Sequence, residues 1–346
     1  MKTDFRYSKN GDTYTKGGEE NAGQGKYALA NGVKEFKVSG VSYDKTTGGD
    51  GLDDETLIST NYYLYVGGET SVTVNAQDDS VKCNYGSITI DNSTLNLTTY
   101  DDGVSSDGIT SVVNSDIPIN SSYEGLEGGQ VLLKGANNRI RIKASDDGIN
   151  AATDYTDLYP NLLIQIDDGY TYVDAEGDGL DSNGDIKITG GTTIIGGTTS
   201  GGNNALDVGE ENGGKLLVNG GTLFACGSSD MAVTPDASST IHTVCYFGNT
   251  IAFGSVMTLS GPDGTPVITY TIGKNSGEII ISSPLIEEGK TYTLYQGTTS
   301  LATFEIVFWT MVNTVGTSGG QGGGQGGPGG NQPGGSMPGG QPGTRP

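Results

Sequence analysis

The chain is poor in basic residues and histidine, and it has no long apolar run. Its 346 residues include 18 Lys and Arg against 41 Asp and Glu, so the net charge is −23 and the pI is near 4.1. A polyanion of this strength excludes DNA, RNA and anionic lipid as partners that bind by charge. No apolar run reaches the roughly 18 residues of a membrane span. The one histidine, His242, cannot form the histidine clusters that are typical of zinc or non-haem iron sites.

Cysteine usage and the first residues bear on the compartment. Three cysteines are too few for a disulfide framework. Cys226 and Cys245 would pair only if neighbouring strands place them together, and buried free thiols are the alternative. Met1 is followed by polar residues and not by a signal peptide. We expect a secreted protein whose export signal has been removed; a cytosolic protein is the alternative.

Glycine, in contrast, is abundant, with 59 residues among 346. A glycine inside a helix costs about 1 kcal/mol relative to alanine, so a helical protein is not expected. The 18 Tyr and 7 Phe argue against disorder of the whole chain. The segment 316–346 is dominated by Gly, Pro and Gln, and it is predicted to be a flexible tail.

Residues 34–239 contain an internal repeat, whose landmark is an acidic or amide residue followed by a small residue and an aliphatic one. Successive landmarks are 22 to 31 residues apart. They begin at Asp50, Asp79, Asp102, Glu124, Asp147, Asp178 and Asn204, with a weaker copy at Asp230. Between landmarks apolar and polar residues alternate up to a Gly or Asn corner, as in Ile186-Lys-Ile188 before Gly190-Gly191. This alternation indicates short strands and no helix.

The repeat predicts an all-β fold, a parallel β-helix of about 8–10 coils in which Gly and Asn occupy corners with positive φ. An antiparallel β-sandwich is the alternative, although it gives no reason for a repeated landmark. Residues 240–315 break the repeat and predict a C-terminal β coil that caps the stack, with a strand at 304–312. Residues 1–33 are predicted to be an N-terminal segment or cap.

Stacked coils would align the acidic residues along one edge, because equivalent positions lie about 4.7 to 4.9 Å apart. Like charges in that position repel, and between residues 144 and 236 only Lys187 and Lys215 oppose 16 acids. Several calcium ions would neutralise the edge, since each takes roughly six to eight oxygen ligands. A solvated acidic edge is the alternative. The predicted ligands are Asp53, Asp78, Asp79, Asp101, Asp102, Asp107, Glu124, Glu127, Asp146, Asp147, Asn150, Glu176, Asp178, Asp181, Asn183 and Asp207.

Five segments of the repeat region resemble a known family. They are the runs 144–150 (ASDDGIN), 175–184 (AEGDGLDSNG), 186–192 (IKITGGT), 197–207 (GTTSGGNNALD) and 227–232 (GSSDMA). They look like the secreted bacterial carbohydrate-binding β-helix family, which is polysaccharide-lyase-like and belongs to the pectate-lyase-like superfamily. Over residues 60–310 the resemblance implies a right-handed parallel β-helix, several calcium ions, and attachment to plant cell-wall polysaccharide such as cellulose or pectic acids. It also implies a location on the bacterial cell surface or in the medium.

Three functional classes remain open from the sequence. We expect a non-catalytic carbohydrate-binding protein, whose aromatic candidates for stacking on sugar rings are Tyr100, Tyr123, Tyr155 and Tyr159. The first alternative is a calcium-dependent pectate-type lyase, with Arg139 and Arg141 as possible bases beside Lys143. A cationic strand face that balances the acids is the other interpretation of those residues. The second alternative is a structural or adhesive surface protein that self-associates or attaches to the cell surface.

Overall fold

The computed structural model describes residues 63–316 apart from 85 and 200, and the backbone of the strands at 4–9, 12–17, 35–39 and 59–60. Within these ranges the chain forms 31 β-strands, one 3-10 turn at Glu210–Asn212 and no α-helix. The strands are β1 (Asp4–Lys9), β2 (Asp12–Gly17), β3 (Glu35–Ser39), β4 (Ser59–Thr60), β5 (Tyr63–Val66), β6 (Ser71–Asn75), β7 (Val81–Cys83), β8 (Ser87–Asp91), β9 (Thr94–Thr98), β10 (Val104–Ser106), β11 (Ile109–Val113), β12 (Asp116–Ser122), β13 (Leu126–Glu127), β14 (Gln130–Lys134), β15 (Arg139–Ala144), β16 (Ile149–Ala151), β17 (Leu163–Ile166), β18 (Tyr170–Ala175), β19 (Leu180–Ser182), β20 (Asp185–Ile188), β21 (Thr192–Gly196), β22 (Leu206–Val208), β23 (Leu216–Val218), β24 (Thr222–Gly227), β25 (Thr243–Ile251), β26 (Val256–Ser260), β27 (Pro266–Thr271), β28 (Ser276–Ser282), β29 (Thr291–Gln296), β30 (Thr299–Glu305) and β31 (Val312–Val315).

These strands form four sheets, which we call A to D. Sheet A has the order β2-β1-β3-β6-β9-β12-β15-β18-β21-β24-β28-β25-β31, and sheet D has the order β27-β26-β29-β30. Sheet B runs β22-β19-β16-β13-β10-β7-β4 and sheet C runs β23-β20-β17-β14-β11-β8-β5. In sheets B and C, and from β3 to β24 in sheet A, neighbouring strands pair in parallel and lie three strands apart in the chain.

The chain therefore passes from sheet A to B to C and back to A, and we call each such circuit one coil. This topology is compatible with a parallel β-helix, and between β3 and β24 it shows none of the antiparallel pairing of a sandwich. The predicted all-β class and parallel sheets are confirmed. The handedness of the coils and the domain boundaries at 33, 239 and 315 stay predictions.

The interior of the coils is a set of aliphatic stacks. The landmark aliphatics Val81, Val104, Leu126, Ile149, Leu180 and Leu206 pair in register along sheet B and are buried. Ile90, Val112, Leu133, Ile166, Ile188 and Val218 form an equivalent stack in sheet C. Fully burying one such side chain stabilises the fold by about 1.5 to 3 kcal/mol. Each coil therefore adds a similar amount of stabilising free energy to each stack.

Glycines at two corners of the coil serve different purposes. Between sheets C and A, residues such as Asn114, Gly169 and Gly191 have positive φ, as predicted for tight corners. The landmark glycine has another role, because a Cβ on Gly148 would overlap Val173 and lie 2.5 Å from the carbonyl oxygen of Gly179. The approach of the next coil therefore leaves no room for a side chain at position 148, although the equivalent position holds Ser80 and Ala205 in two other coils.

The C-terminal part covers the outer face of sheet A at strands β21, β24 and β28. Ile194, Phe224 and Ile281 on that face pack with Leu259 and Leu294 of sheet D in a second core cluster. Pairing becomes antiparallel here, between β24 and β28 and throughout sheet D. The predicted strand at 304–312 was wrong, since β30 ends at Glu305 and β31 begins only at Val312.

The cysteines of the structure are free thiols. Cys83, Cys226 and Cys245 are all buried. Cys226 belongs to the core cluster outside sheet A and Cys245 to the cluster inside the coils, so the two face opposite sides of the sheet. Among the described residues, no helix is long and apolar enough to cross a membrane.

Candidate functional site

Acidic side chains collect at the corner between sheets A and B, where each coil has its landmark. Four groups of three carboxylates have ligand atoms within 4.8 Å of one another. They are Asp78, Asp79 and Asp101; Asp102, Glu124 and Glu127; Glu124, Asp146 and Asp147; and Asp147, Asp178 and Asp181. Glu124 and Asp147 each belong to two groups, so the last three groups form one continuous series, which we call the acidic ladder.

The first column of the ladder consists of the landmark acids, whose position follows from backbone hydrogen bonds between coils. The amide of Asp102 donates to Oδ1 of Asp79 at 3.3 Å, and the amide of Asp178 donates to Oδ1 of Asp147 at 2.7 Å. The amide of Asn204 donates in the same way to Oδ1 of Asp178. Four landmark carboxylates, those of Asp79, Asp102, Asp147 and Asp178, thus cap the turn of the next coil, which explains why an acid or amide recurs at this position.

The second column consists of outward side chains three residues after each landmark, on the strands of sheet B. Ser105, Glu127, Asn150, Asp181 and Asp207 are paired in register along β10, β13, β16, β19 and β22. The hydroxyl of Ser105 donates to Oε2 of Glu127 at 2.5 Å. Because parallel strands keep equivalent side chains about 4.8 Å apart, this column brings the acids of separate coils together.

The electrostatics of the ladder disfavour a full set of charges. Burial, followed by repulsion from neighbouring carboxylates, raises the pKa of Glu124 to about 9 and that of Asp181 to about 8. Burial is also the main cause that raises the pKa of Asp78 and Asp178 to about 7 and that of Asp147 to about 6. The pKa values of Asp102, Glu127 and Asp207 are raised for the same reason. A cation between these groups would favour their ionised forms.

Oxygen atoms without a partner lie at the centre of the ladder. Oδ1 of Asn150 and Oε2 of Glu124 are buried and accept no hydrogen bond from the protein. The amide group of Asn150 donates to Oε1 of Glu124 at 3.2 Å, so the two side chains are in contact. Buried oxygens normally have a hydrogen-bond partner. Carboxylate and amide oxygens are the donors that calcium prefers, so this donor set fits a hard divalent cation.

Several predicted ligands lie outside the four groups. Glu176 forms an ion pair with Lys274, with an oxygen–nitrogen distance of 3.2 Å. Asp207 continues the second column by one coil and interacts electrostatically with Asp147 and Asp181. Asp107 and Asn183 follow strands β10 and β19 without joining a group, and Asp53 lies outside the described residues.

The predicted sugar-stacking tyrosines differ in exposure. Tyr100 is 84% exposed and directly precedes Asp101 of the first acidic group, and Tyr123 is 40% exposed and directly precedes Glu124 of the ladder. Tyr155 and Tyr159 are only partly exposed, because the loop folds back and Tyr159 packs on the Gly108 and Gly129 corners. Of the four tyrosines, Tyr100 and Tyr123 therefore offer the more accessible rings beside the acids.

Two exposed aromatic residues had no role in the sequence predictions. Phe308 and Trp309 are 71% and 72% exposed, and their rings form an edge-to-face pair with centroids 5.1 Å apart. They lie in the turn between β30 and β31. The only signal was the single tryptophan next to a phenylalanine, and the apolar run around it was interpreted as a strand.

Comparison with known proteins gives one family. Residues 94–264 match the sequence model of a family described as carbohydrate-binding domain-containing proteins. No curated protein and no solved structure matches the chain significantly. The matched segment contains the whole acidic ladder from Asp102 to Asp181, and it supports a carbohydrate-binding role.

Proposed function

We propose that this chain is a non-catalytic, calcium-binding protein that attaches to plant cell-wall polysaccharide, either cellulose or a pectic polymer of uronic acids. The observation that carries the proposal is that the carbohydrate-binding family match spans the acidic ladder. A site that consists largely of buried carboxylates would repel an acidic polymer unless cations lie between them. Calcium supplies those cations and can bind the carboxylates of the protein and of a uronate together.

The same proposal includes the finer description of the fold. We propose a right-handed parallel β-helix, in which stacking of the coils sets the spacing of the calcium sites. Asp102, Glu124 and Glu127 would hold one ion, and Asp147, Asp178 and Asp181 another, with Glu124 and Asp147 shared with the group between them. Free calcium that saturates weak sites occurs outside cells, so the proposal agrees with secretion.

The exposed tyrosines complete the proposed binding surface. Tyr123 directly precedes Glu124 of the ladder, and Tyr100 directly precedes Asp101 of the first acidic group, so a sugar bound at this corner would have an aromatic ring close by. An aromatic ring packs on the apolar face of a pyranose and orients it. The calcium ions would hold charged groups, and the tyrosines would contact the ring.

Sedimentation with insoluble polysaccharide tests the proposal. We expect the protein to sediment with cellulose or calcium pectate in calcium buffer and to stay in solution in chelator. The double variant Glu124→Gln/Asp147→Asn should lose calcium and binding together, whereas Asp154→Asn/Asp157→Asn, in an exposed loop, changes the charge equally and should bind normally. Binding that is the same in chelator would refute the role of calcium, and release of unsaturated uronides from pectate would identify a lyase instead.

A further inference from the structure

A second charged surface lies on the outer face of sheet A, at strand β15. The outward side chains of this strand are Arg139, Arg141 and Lys143, and they alternate with the buried Ile140 and Ile142. Successive outward positions on a strand are about 6.7 Å apart, so the three cations form a row about 13 Å long. The chain has a net charge of −23, so three basic residues in a row on one strand face are not expected from its composition.

Two of the three basic side chains in this row have no acidic partner in the part of the chain that the structure describes, so they are available to bind a ligand. Arg141 donates from Nη2 to Oδ1 of Asp116 at 2.7 Å, on the neighbouring strand β12. Asp174, which is paired in register with Lys143, binds Lys274 of the C-terminal part at 2.9 Å. Among the described residues, Arg139 and Lys143 form no ion pair and both are exposed. Nη1 of Arg141 is a buried donor without a hydrogen-bond partner.

A cavity of about 570 Å³ lies at the start of the row, where β15, β18 and β21 begin. Its lining includes Asn137, Arg139, Asp168, Tyr170 and Thr192. The cavity is open to solvent and is not an enclosed pocket. The lining offers a guanidinium for an anion, an amide, a carboxylate and a hydroxyl for sugar hydroxyl groups, and a tyrosine ring beside them. This combination fits an acidic sugar better than it fits a neutral sugar or an inorganic anion.

The row also leads toward the acidic ladder. Strand β15 begins at Arg139 beside the cavity and ends at Ala144, two residues before Asp146 of the ladder. Six residues of a strand span about 20 Å. A polymer lying along β15 would therefore reach from the cavity, past Arg141 and Lys143, to the corner between sheets A and B.

We propose that strand β15 and the adjoining cavity form a binding track for a polyuronate chain, in which Arg139 and Lys143 bind uronate carboxylates and the Asn137–Tyr170 cavity holds one uronic acid residue. The track rests on the proposed function and narrows it, because it selects a pectic uronate over cellulose. Arginine binds a carboxylate through two parallel hydrogen bonds, which fix the orientation of the bound carboxylate and add to the affinity. Asp116 competes with the ligand for Arg141.

Calorimetric titration with oligogalacturonate in calcium buffer, with a cello-oligosaccharide in parallel, tests the track. The double variant Arg139→Gln/Lys143→Gln should bind the uronate about 10-fold more weakly, the loss expected when a charge-assisted hydrogen bond is removed. The control Lys134→Gln/Lys290→Gln makes the same change in net charge at other positions and should bind like the unchanged protein. Asp116→Asn should bind the uronate more tightly, because it frees Arg141.

The outcomes separate the track from the proposed function. Uronate binding that is equal in the Arg139→Gln/Lys143→Gln variant and the unchanged protein overturns the track alone. An equal loss in the Lys134→Gln/Lys290→Gln control also overturns it, because net charge would then explain the effect. If the protein binds only the cello-oligosaccharide, the track is wrong and a cellulose-binding function remains. If it binds neither glycan nor the insoluble polymers, both proposals fail.

Discussion

The clearest prediction concerns Asp147, which belongs to two groups of the acidic ladder. Replacing it with asparagine removes one charge from both groups. The asparagine Oδ1 can still accept the hydrogen bond that the amide of Asp178 donates at 2.7 Å. Asp147→Asn therefore tests charge and ligand chemistry at nearly constant shape. We expect opposite effects on stability with and without calcium.

The magnitude follows from the pKa of Asp147, which burial raises from 3.8 to about 6. A group whose folded-state pKa is raised stabilises the fold below its unfolded-state pKa, and this contribution is lost as the pH rises through about 6. At about 1.4 kcal/mol per pKa unit, the loss is about 3 kcal/mol at pH 8. For a protein of this size, that corresponds to a change in melting temperature of about 4 to 6 °C.

Thermal melting followed by circular dichroism measures the effect in chelator and in calcium. In chelator at pH 8, Asp147→Asn should melt higher than the unchanged protein, and near pH 4 the difference should shrink because Asp147 is then largely neutral. In calcium the order should reverse, because the variant has lost a ligand. The matched control Asp157→Asn, at an exposed position outside the four groups, should follow the unchanged protein in every buffer. A variant that melts lower in chelator at pH 8, or that gains as much from calcium as the unchanged protein, would refute the reasoning.

Two further predictions concern the landmark glycine and the exposed tyrosine. Gly148→Ala should destabilise the fold by about 1 to 3 kcal/mol, because the added methyl group overlaps Val173 and the next coil. The control Gly273→Ala has open space around it and should change the unfolding free energy by less than about 1 kcal/mol. Denaturant titration measures the unfolding free energy of both variants. Tyr100→Ala should leave the melting temperature unchanged and weaken sedimentation with polysaccharide several-fold, whereas Tyr100→Phe keeps the ring and should bind normally. Equal stability of the two glycine variants, or full binding by Tyr100→Ala, would contradict the respective role.

The spacing of the landmarks was sufficient to predict the stacked coils. A step of 22 to 31 residues with short alternating strands leaves room for one circuit of three strands, and the structure shows such circuits from β3 to β24. The reason for the landmark glycine was only partly predictable. Positive φ occurs at the corner between sheets C and A, whereas Gly148 is required by the approach of the next coil, which a single sequence does not reveal.

The candidate site was predictable in its location and less so in its members. Periodicity placed acids along one edge, but a carboxylate joins a group only if its side chain points toward the neighbouring coil. That direction depends on the position in the coil: Asp181 lies in the second column and joins a group, whereas Asp107 follows strand β10 and does not. The exposure of the tyrosines could not be predicted from the sequence either, since Tyr159 packs on Gly108 and Gly129, which belong to earlier coils.

Lys82 distinguishes the first acidic group, which has a cation of its own, from the acidic ladder, which has none among the described residues. It occupies the second column one coil before Ser105, and its Nζ lies 2.7 Å from Oδ2 of the buried Asp79. Burial alone would lower the pKa of Lys82, but the charge and hydrogen bond of Asp79 together with the charges of Asp102 and Asp78 outweigh burial and raise the pKa, so the ammonium stays charged. In the next four coils this position holds Ser105, Glu127, Asn150 and Asp181, none of which is a cation. The chain thus supplies one cation of its own to the group of Asp78, Asp79 and Asp101. In the ladder the carboxylates must either stay protonated or take their cations from solution.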